Sequence, residues 1–281
     1  MKPEQTEAPA QPAEVETTIG DLNRRNLLEG TLTLGCGALV TFAARSALGS
    51  APTEAATPKA GAAAAVAPPE YNWEEHQYAY LVDIAKCIGC GSCVRACAAE
   101  NHVPDNFFRT WVERYLVSHS HGSYVDSPNG GKDGFKPVET NVKPTKAFFV
   151  PKLCNHCTDT PCVQVCPVGA SYRTKDGLIM VDGERCIGCG YCVQACPYGS
   201  RYLNEETGCA DKCTWCYHRI TKGMKPACVE VCPTGTRQFG DMKKEDDPVR
   251  VQLDHENVMV LQEHLLTHPN TFYLHADKEV K

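Results

Sequence analysis

The run "CIGCGYCVQACP", Cys186 to Pro197, places cysteine at 186, 189, 192 and 196 and closes on proline. Its spacing recurs along the chain. A first group comprises Cys87, Cys90, Cys93 and Cys97, a second Cys154, Cys157, Cys162 and Cys166, and a fourth Cys213, Cys216, Cys228 and Cys232. Every group ends in a C-x-x-x-C step, groups one and three share one form, and Pro167, Pro197 and Pro233 follow the last cysteine of groups two, three and four. This is an internal repeat.

A cubane iron–sulfur cluster needs thiolates at the corners of a tetrahedron wider than one metal ion, and a C-x-x-C-x-x-C loop wraps one face of such a cube. Gly188 and Gly190, with Gly89 and Gly91 in group one, permit the close backbone approach and positive φ that this wrapping requires. The fourth cysteine is expected to start a helix and point away. In bacterial ferredoxins this spacing sends it to the neighbouring cluster, so clusters come in pairs. Disulfides fit poorly, because cysteines two apart in repeated triplets have the wrong geometry for pairing with one another. Structural zinc prefers two separated C-x-x-C pairs to a dense triplet. Haem attachment needs C-x-x-C-H, and no pair here is followed by His.

Eighteen cysteines in 281 residues far exceed ordinary intracellular usage, and the length suits one large or two small domains. Net charge is −6 with the signs interspersed, which provides no cationic surface for nucleic acid or an anionic membrane face. At the amino terminus, Arg24-Arg25, an apolar stretch from Thr31 to Ala44 and the small residues Ala47-Leu48-Gly49 resemble a twin-arginine export signal over 1–49. Asn23 stands where Ser or Thr is usual, and Leu27 where Phe is frequent. Glu29 and Arg45 fence the apolar run to about 15 residues, short of the roughly 20 that a spanning helix needs. Cys36 is expected to leave with this leader, and the mature chain to have no membrane span. An Ala/Pro linker follows over 50–75.

Strand-like segments lead into the loops: "YAYLVDIAK" from Tyr78, "AFFVPK" from Ala147, "LIMVD" from Leu178 and, before the fourth group, "GSRYLNEETG" from Gly199. Between groups one and two, "SHSHGSYVDSPNGGKDGFKP" reads as a polar insertion in which His119 and His121 are solvated. His156 is placed to tune a cluster by hydrogen bonding. Cys209 is the cysteine left over, a spare thiol or part of a rival register with Cys213 and Cys216. Ile88, Ile187, Tyr191 and Val193 are expected to shield clusters from water.

"KLCNHCTDTPCVQVCP", "RCIGCGYCVQACPYGSRY", "ADKCTWCYHRITKGMKPACVEVCPTG" and "FYLHADK" resemble the iron–sulfur subunits of complex iron–sulfur molybdoenzymes, especially the tetrathionate, polysulfide and dimethyl sulfoxide reductase type. The resemblance runs from Tyr78 to the end. It implies an α+β fold of two ferredoxin-like dicluster modules with approximate internal symmetry. One module comprises 76–117 and 204–240, the other 147–203, with an insertion at 118–146 and a C-terminal docking extension at 241–281. Carried over by motif, Cys87, Cys90, Cys93 and Cys232 hold one cluster, and Cys154, Cys157, Cys162 and Cys196 a second. Cys186, Cys189, Cys192 and Cys166 hold a third, and Cys213, Cys216, Cys228 and Cys97 a fourth. Some relatives replace a fourth-group cysteine by Trp, but here all sixteen positions are cysteine, which implies four [4Fe–4S] clusters. Ala98, where the other groups have proline, departs from the pattern.

The function implied is electron relay without catalysis, in an exported respiratory complex on the periplasmic or exofacial side of the membrane. Its partners would be a molybdopterin-type catalytic subunit and an integral membrane quinone/quinol subunit. Alternatives are a ferredoxin-like subunit of a periplasmic hydrogenase or nitrite/sulfite-type complex, and a freestanding periplasmic polyferredoxin. An enzyme whose cluster binds substrate would need an iron without a thiolate, and sixteen cysteines leave none vacant.

Overall fold

Five consecutive buried residues, Ala79 to Asp83, make Tyr78–Asp83 (β1) a strand covered on both faces rather than an alternating one. The computed structural model describes residues 71–118, 122–137 and 144–280. The twin-arginine stretch, Cys36, the linker up to Glu70, His119 and His121 lie outside the described residues.

After β1 comes the first cysteine loop and helix Ser92–Asn101 (α1), then Thr110–Ser118 (β2), Gly122–Asp126 (β3) and Lys146–Leu153 (β4). The second loop carries Pro161–Gln164 (α2), followed by the hairpin Ser171–Arg173 (β5) and Ile179–Val181 (β6). The third loop carries Tyr191–Gln194 (α3) and leads to the hairpin Arg201–Asn204 (β7) and Cys209–Lys212 (β8). Tyr217–Ile220 (α4), Ala227–Glu230 (α5) and Arg237–Asp241 (β9) complete the fourth group. The chain closes with Pro248–His255 (α6), Val258–Met259 (β10) and Thr271–Leu274 (β11).

β1 is central to a sheet ordered β10-β11-β1-β9, pairing antiparallel with β9 (Tyr80 opposite Phe239) and parallel with β11 (Tyr80 opposite Thr271). A second sheet is ordered β3-β2-β4. α1 of the first group packs on α5 of the fourth, and α2 of the second packs on α3 of the third. Helix contacts thus join group one to group four and group two to group three. One apolar core, with Tyr80, Val150, Leu153, Trp215, Tyr217 and Tyr273 among its members, also includes Cys93, Cys154, Cys213 and Cys228.

Several segments differ from the sequence reading. Residues 241–281 are not only peripheral, since Thr271 and Tyr273 of β11 are fully buried beside β1. α6 begins on a capping Asp247, whose carboxylate accepts from the Val249 N–H, with Pro248 in its first turn. The 118–146 stretch contains β3, paired with β2 from Arg114 opposite Asp126 to Ser118 opposite Gly122. The last linker residues are ordered, for the Tyr71 hydroxyl donates to Asp176 at 2.7 Å. The fourth cysteine does not start a helix either. In groups two, three and four a single turn surrounds the earlier cysteine and has ended before Cys166, Cys196 and Cys232. The following proline disfavours helical dihedrals at the residue before it, which ends the turn there.

Candidate metal centres

Loops one and three turn their thiols inward through left-handed glycines, whereas His156 in loop two and Trp215 and Cys216 in loop four take the left-handed conformation themselves. Gly89 and Gly91 have φ of 66° and 71°, Gly188 and Gly190 of 69° and 76°. Cys87, Cys90, Cys93 and, from far along the chain, Cys232 line one small cavity. Cys186, Cys189, Cys192 and Cys166 line another. Burial pushes the Cys157 thiol up to about 12, and its thiol neighbours Cys154, Cys162 and Cys196 add to this. Cys97 is likewise raised by burial and then by Cys213, Cys228 and Cys216. The structure thus gathers four sets of four, each made of three cysteines from one group and the last cysteine of another. Ile88 and Ile187 do not shield these cavities in the isolated chain: they rim them, with 59% and 64% exposure, and Tyr191 is also exposed.

The last cysteines sit in repeated turns. Gly169, Gly199 and Gly235, each three residues after the cysteine and at φ of 62–64°, return their N–H to the carbonyls of Cys166, Cys196 and Cys232. Burial raises the Cys166 thiol, but the N–H groups of Ser171, Val168, Ala170 and Gly169 outweigh it and lower it. At Cys232 burial is likewise outweighed, by the Arg237 N–H and then by Thr234 and Thr236. Such nests of donors favour a thiolate, the form that binds iron.

Buried cations accompany the thiols. Arg237, 2% exposed, forms part of the cavity wall beside Cys87, Cys93 and Cys232. Arg201 and Lys212 are 4% and 1% exposed. Among the described residues none of the three pairs with a carboxylate, and Nε of Arg237 with Nε and Nη2 of Arg201 have no hydrogen-bond partner. A buried cation left uncompensated costs several kcal/mol. A thiolate-bound iron–sulfur cluster, which is anionic, would supply the missing counter-charge, and a neutral or disulfide-bonded site would not. All seventeen described cysteines are free of disulfides. Among the described residues no three His, Cys, Asp or Glu side chains converge as they would on a single metal ion. The donor set therefore fits an anionic, thiolate-bound centre.

His156 does not bond a thiolate as expected. Its Nε2 donates to the Cys213 carbonyl at 3.0 Å and its Nδ1 accepts from the Ile179 N–H at 3.0 Å. Trp215, its ring tilted against the imidazole at a centroid distance of 4.3 Å, returns a bond from Nε1 to the Cys154 carbonyl at 3.2 Å. Loops two and four are thereby strapped together. β8 carries Cys209 to the third loop, where its thiol meets the Gly183 carbonyl at 3.3 Å, so it joins neither Cys213 nor Cys216. Sequence reasoning missed Arg201 and Arg237, although the repeat marks both: "CPYGSR" and "CPTGTR" place them five residues after Cys196 and Cys232.

Residues 86–170 and 145–242 each match a family model described as a 4Fe-4S dicluster domain. A tetrathionate reductase subunit of Archaeoglobus fulgidus is 47% identical over 198 residues, 70% of this chain and 82% of that protein. The protein of the same name from Salmonella typhimurium is 42% identical over 204 residues, covering 72% and 74%. The thiosulfate reductase electron transfer subunit of Salmonella typhi is 42% identical over 172 residues, covering 61% and 79%.

Proposed function

The chain belongs to the iron–sulfur subunits of the tetrathionate, polysulfide and dimethyl sulfoxide reductase type, and we propose that it relays electrons through four [4Fe–4S] clusters between a molybdopterin-type catalytic subunit and a membrane quinone/quinol subunit. The observation that carries this reading is the gathering of sixteen cysteines into four sets, each completed by a cysteine from another group.

In this reading the ligands are Cys87, Cys90, Cys93 and Cys232; Cys154, Cys157, Cys162 and Cys196; Cys186, Cys189, Cys192 and Cys166; and Cys213, Cys216, Cys228 and Cys97. We number these sets one to four. When bound, each cluster takes up and releases one electron. The chain's own residues hold the sites in line. Sets one and three open at the surface beside Ile88 and Ile187, while Cys97, Cys213 and Cys228 of set four are 4–6% exposed. The His156–Trp215 strap joins set two to set four. The order is therefore three, two, four, one, with the two ends available to partners and the middle kept dry by Trp215, Tyr217 and Tyr80.

Among the described residues no helix is long and apolar enough to cross a membrane, which suits a peripheral subunit that reaches quinone through a partner. Export by Arg24-Arg25 completes the proposal, because the twin-arginine route carries folded, cluster-loaded proteins.

The test is iron and sulfide analysis with electron paramagnetic resonance of the purified chain. About 16 irons per chain are expected, four for each cluster, and a value below ~15 overturns the four-cubane reading. Arg24→Lys together with Arg25→Lys should abolish export of a reporter carrying residues 1–75; unchanged export would refute the assigned route.

A further inference from the structure

The repeat places arginine at the same point in both modules, five residues after Cys196 and five after Cys232, and both side chains end in the protein interior. Arg237 reaches two cluster sites. It lines the cavity of set one, and its Nη1 donates to the Tyr80 hydroxyl at 3.5 Å. That hydroxyl lies 3.2 Å from Cys228 Sγ of set four. An iron-bound thiolate carries no hydrogen, so Tyr80 must be the donor, and the direction runs from guanidinium to hydroxyl to sulfur. Nη2 is anchored on the Thr110 hydroxyl at 2.7 Å, which fixes the fork.

Arg201 occupies the matching position in the other module. Its Nη1 donates to the Ser171 hydroxyl at 2.9 Å, and Ser171 both lines the cavity of set three and gives its N–H to Cys166 Sγ at 3.4 Å. Cys162 and Cys154 of set two, and then Cys192 of set three, favour its charged form against the burial that opposes it.

We propose that Arg201 and Arg237 are symmetry-related positioning residues, each holding up the reduction potentials of the two clusters it lies between, and that Tyr80 adds a hydrogen bond to set four alone. The proposal rests on the four-cluster reading above. The physical ground is that reduction adds negative charge to a cluster, and a fixed cation or a hydrogen bond to sulfur favours the reduced form. One cation between two sites acts on both. It offsets the repulsion between neighbouring reduced clusters, so that potentials within a module stay close.

The experiment is a redox titration of the full-length, cluster-loaded chain followed by electron paramagnetic resonance, with iron counted in the same sample. Arg237→Gln should lower two of the four potentials, and Arg201→Gln the other two. Tyr80→Phe should lower only one, and it must be one of the pair that Arg237→Gln moves. The expected size is roughly tenfold in the reduction equilibrium, as a hydrogen bond to a charged group is lost, or ~59 mV for one electron. In resonance Raman, Tyr80→Phe should also raise one iron–thiolate stretching frequency, which a packing role alone would not do.

With iron content intact, the proposal is overturned if Tyr80→Phe moves no potential, if both arginine variants move the same pair, or if either moves all four alike. Should Arg237→Gln not accumulate, Arg237→Lys keeps the charge and loses the fork, and only the Tyr80-sensitive potential should fall; a fall in two would overturn the proposal. A wild-type chain with fewer than ~15 irons would instead sink the parent reading.

Discussion

The loops Cys87–Cys97 and Cys186–Cys196 have the same cysteine spacing and paired glycines, yet the helix in one runs ten residues and in the other four. The two runs differ at three positions, Ser92 against Tyr191, Arg95 against Gln194 and Ala98 against Pro197, and the last of these sets the helix length. Ala98 permits α1 to continue to Asn101, whereas Pro197 ends α3. The extra turns are occupied. Asn101 Nδ2 donates to the Cys97 carbonyl at 3.0 Å and approaches Cys97 Sγ at 3.6 Å and Cys216 Sγ at 3.8 Å, while its Oδ1 accepts from Arg109 at 3.0 Å. Glu100 pairs with Arg219 at 3.0 Å and His218 at 2.7 Å. A departure from the repeat thus delivers an amide donor to set four, which the shorter helix of group three could not do.

The surroundings differ as well. A Cβ on Gly91 would lie 2.3 Å from the Gly131 carbonyl oxygen and 2.5 Å from that of Lys132, whereas the nearest atom at Gly190 is Leu203 Cδ1 at 3.7 Å. Gly91→Ala should therefore give the largest effect, about 4 kcal/mol with loss of iron from set one, because backbone cannot move aside cheaply. Gly190→Ala should cost only the ~1–2 kcal/mol of a left-handed alanine. Equal melting temperatures for the two variants would erase this distinction. Next comes Ala98→Pro, which removes a helical hydrogen bond and should cost ~3 kcal/mol in thermal or denaturant melts. The reciprocal Pro197→Ala should stay within about 0.5 kcal/mol of wild type.

Asn101→Ala should cost ~1 kcal/mol and lower the potential of set four while leaving set three unchanged, as read by redox titration. The smallest effect belongs to Glu100. The hydrogen bond from His218, then the Arg219 charge, outweighs partial burial and holds its carboxyl below the ordinary 4.5. Its stabilisation is complete above that value and is lost as pH falls through the depressed one. Glu100→Gln should therefore flatten the acid limb of the melting temperature and cost about 0.5 kcal/mol at neutral pH. An unchanged acid limb would show that the extra turn of α1 carries no electrostatic load.

The cysteine groups and the strands feeding them were legible because thiol spacing and short apolar runs act over a few residues, whereas the helix expected to start at the fourth cysteine was misplaced. Long-range placement was not legible in the same way. "TFYL" at 271–274 is too short a run to declare itself a central strand, and it becomes one only by lying beside β1. The partners of His156 were hidden for a related reason: its two bonds go to Cys213 and Ile179, which local spacing does not bring near. Arg201 and Arg237 stood in the repeat, but a basic residue at the head of a short strand ordinarily faces solvent. Only their burial distinguishes them.

The parallel pairing of β1 with β11 also bears on the order of assembly. Cysteine groups two and three are contiguous, so their module can close as soon as the segment ending near Asn204 leaves the ribosome. The other module joins the first described strand to the last, and its sheet lacks β11 until Thr271–Leu274 has been synthesised. Set four also needs Cys97 and Cys228 brought together across that divide. On the four-cluster proposal, metal loading would be staged by the chain's own topology, and a truncation before Thr271 should spare the early pair of sites while leaving the late pair unfinished.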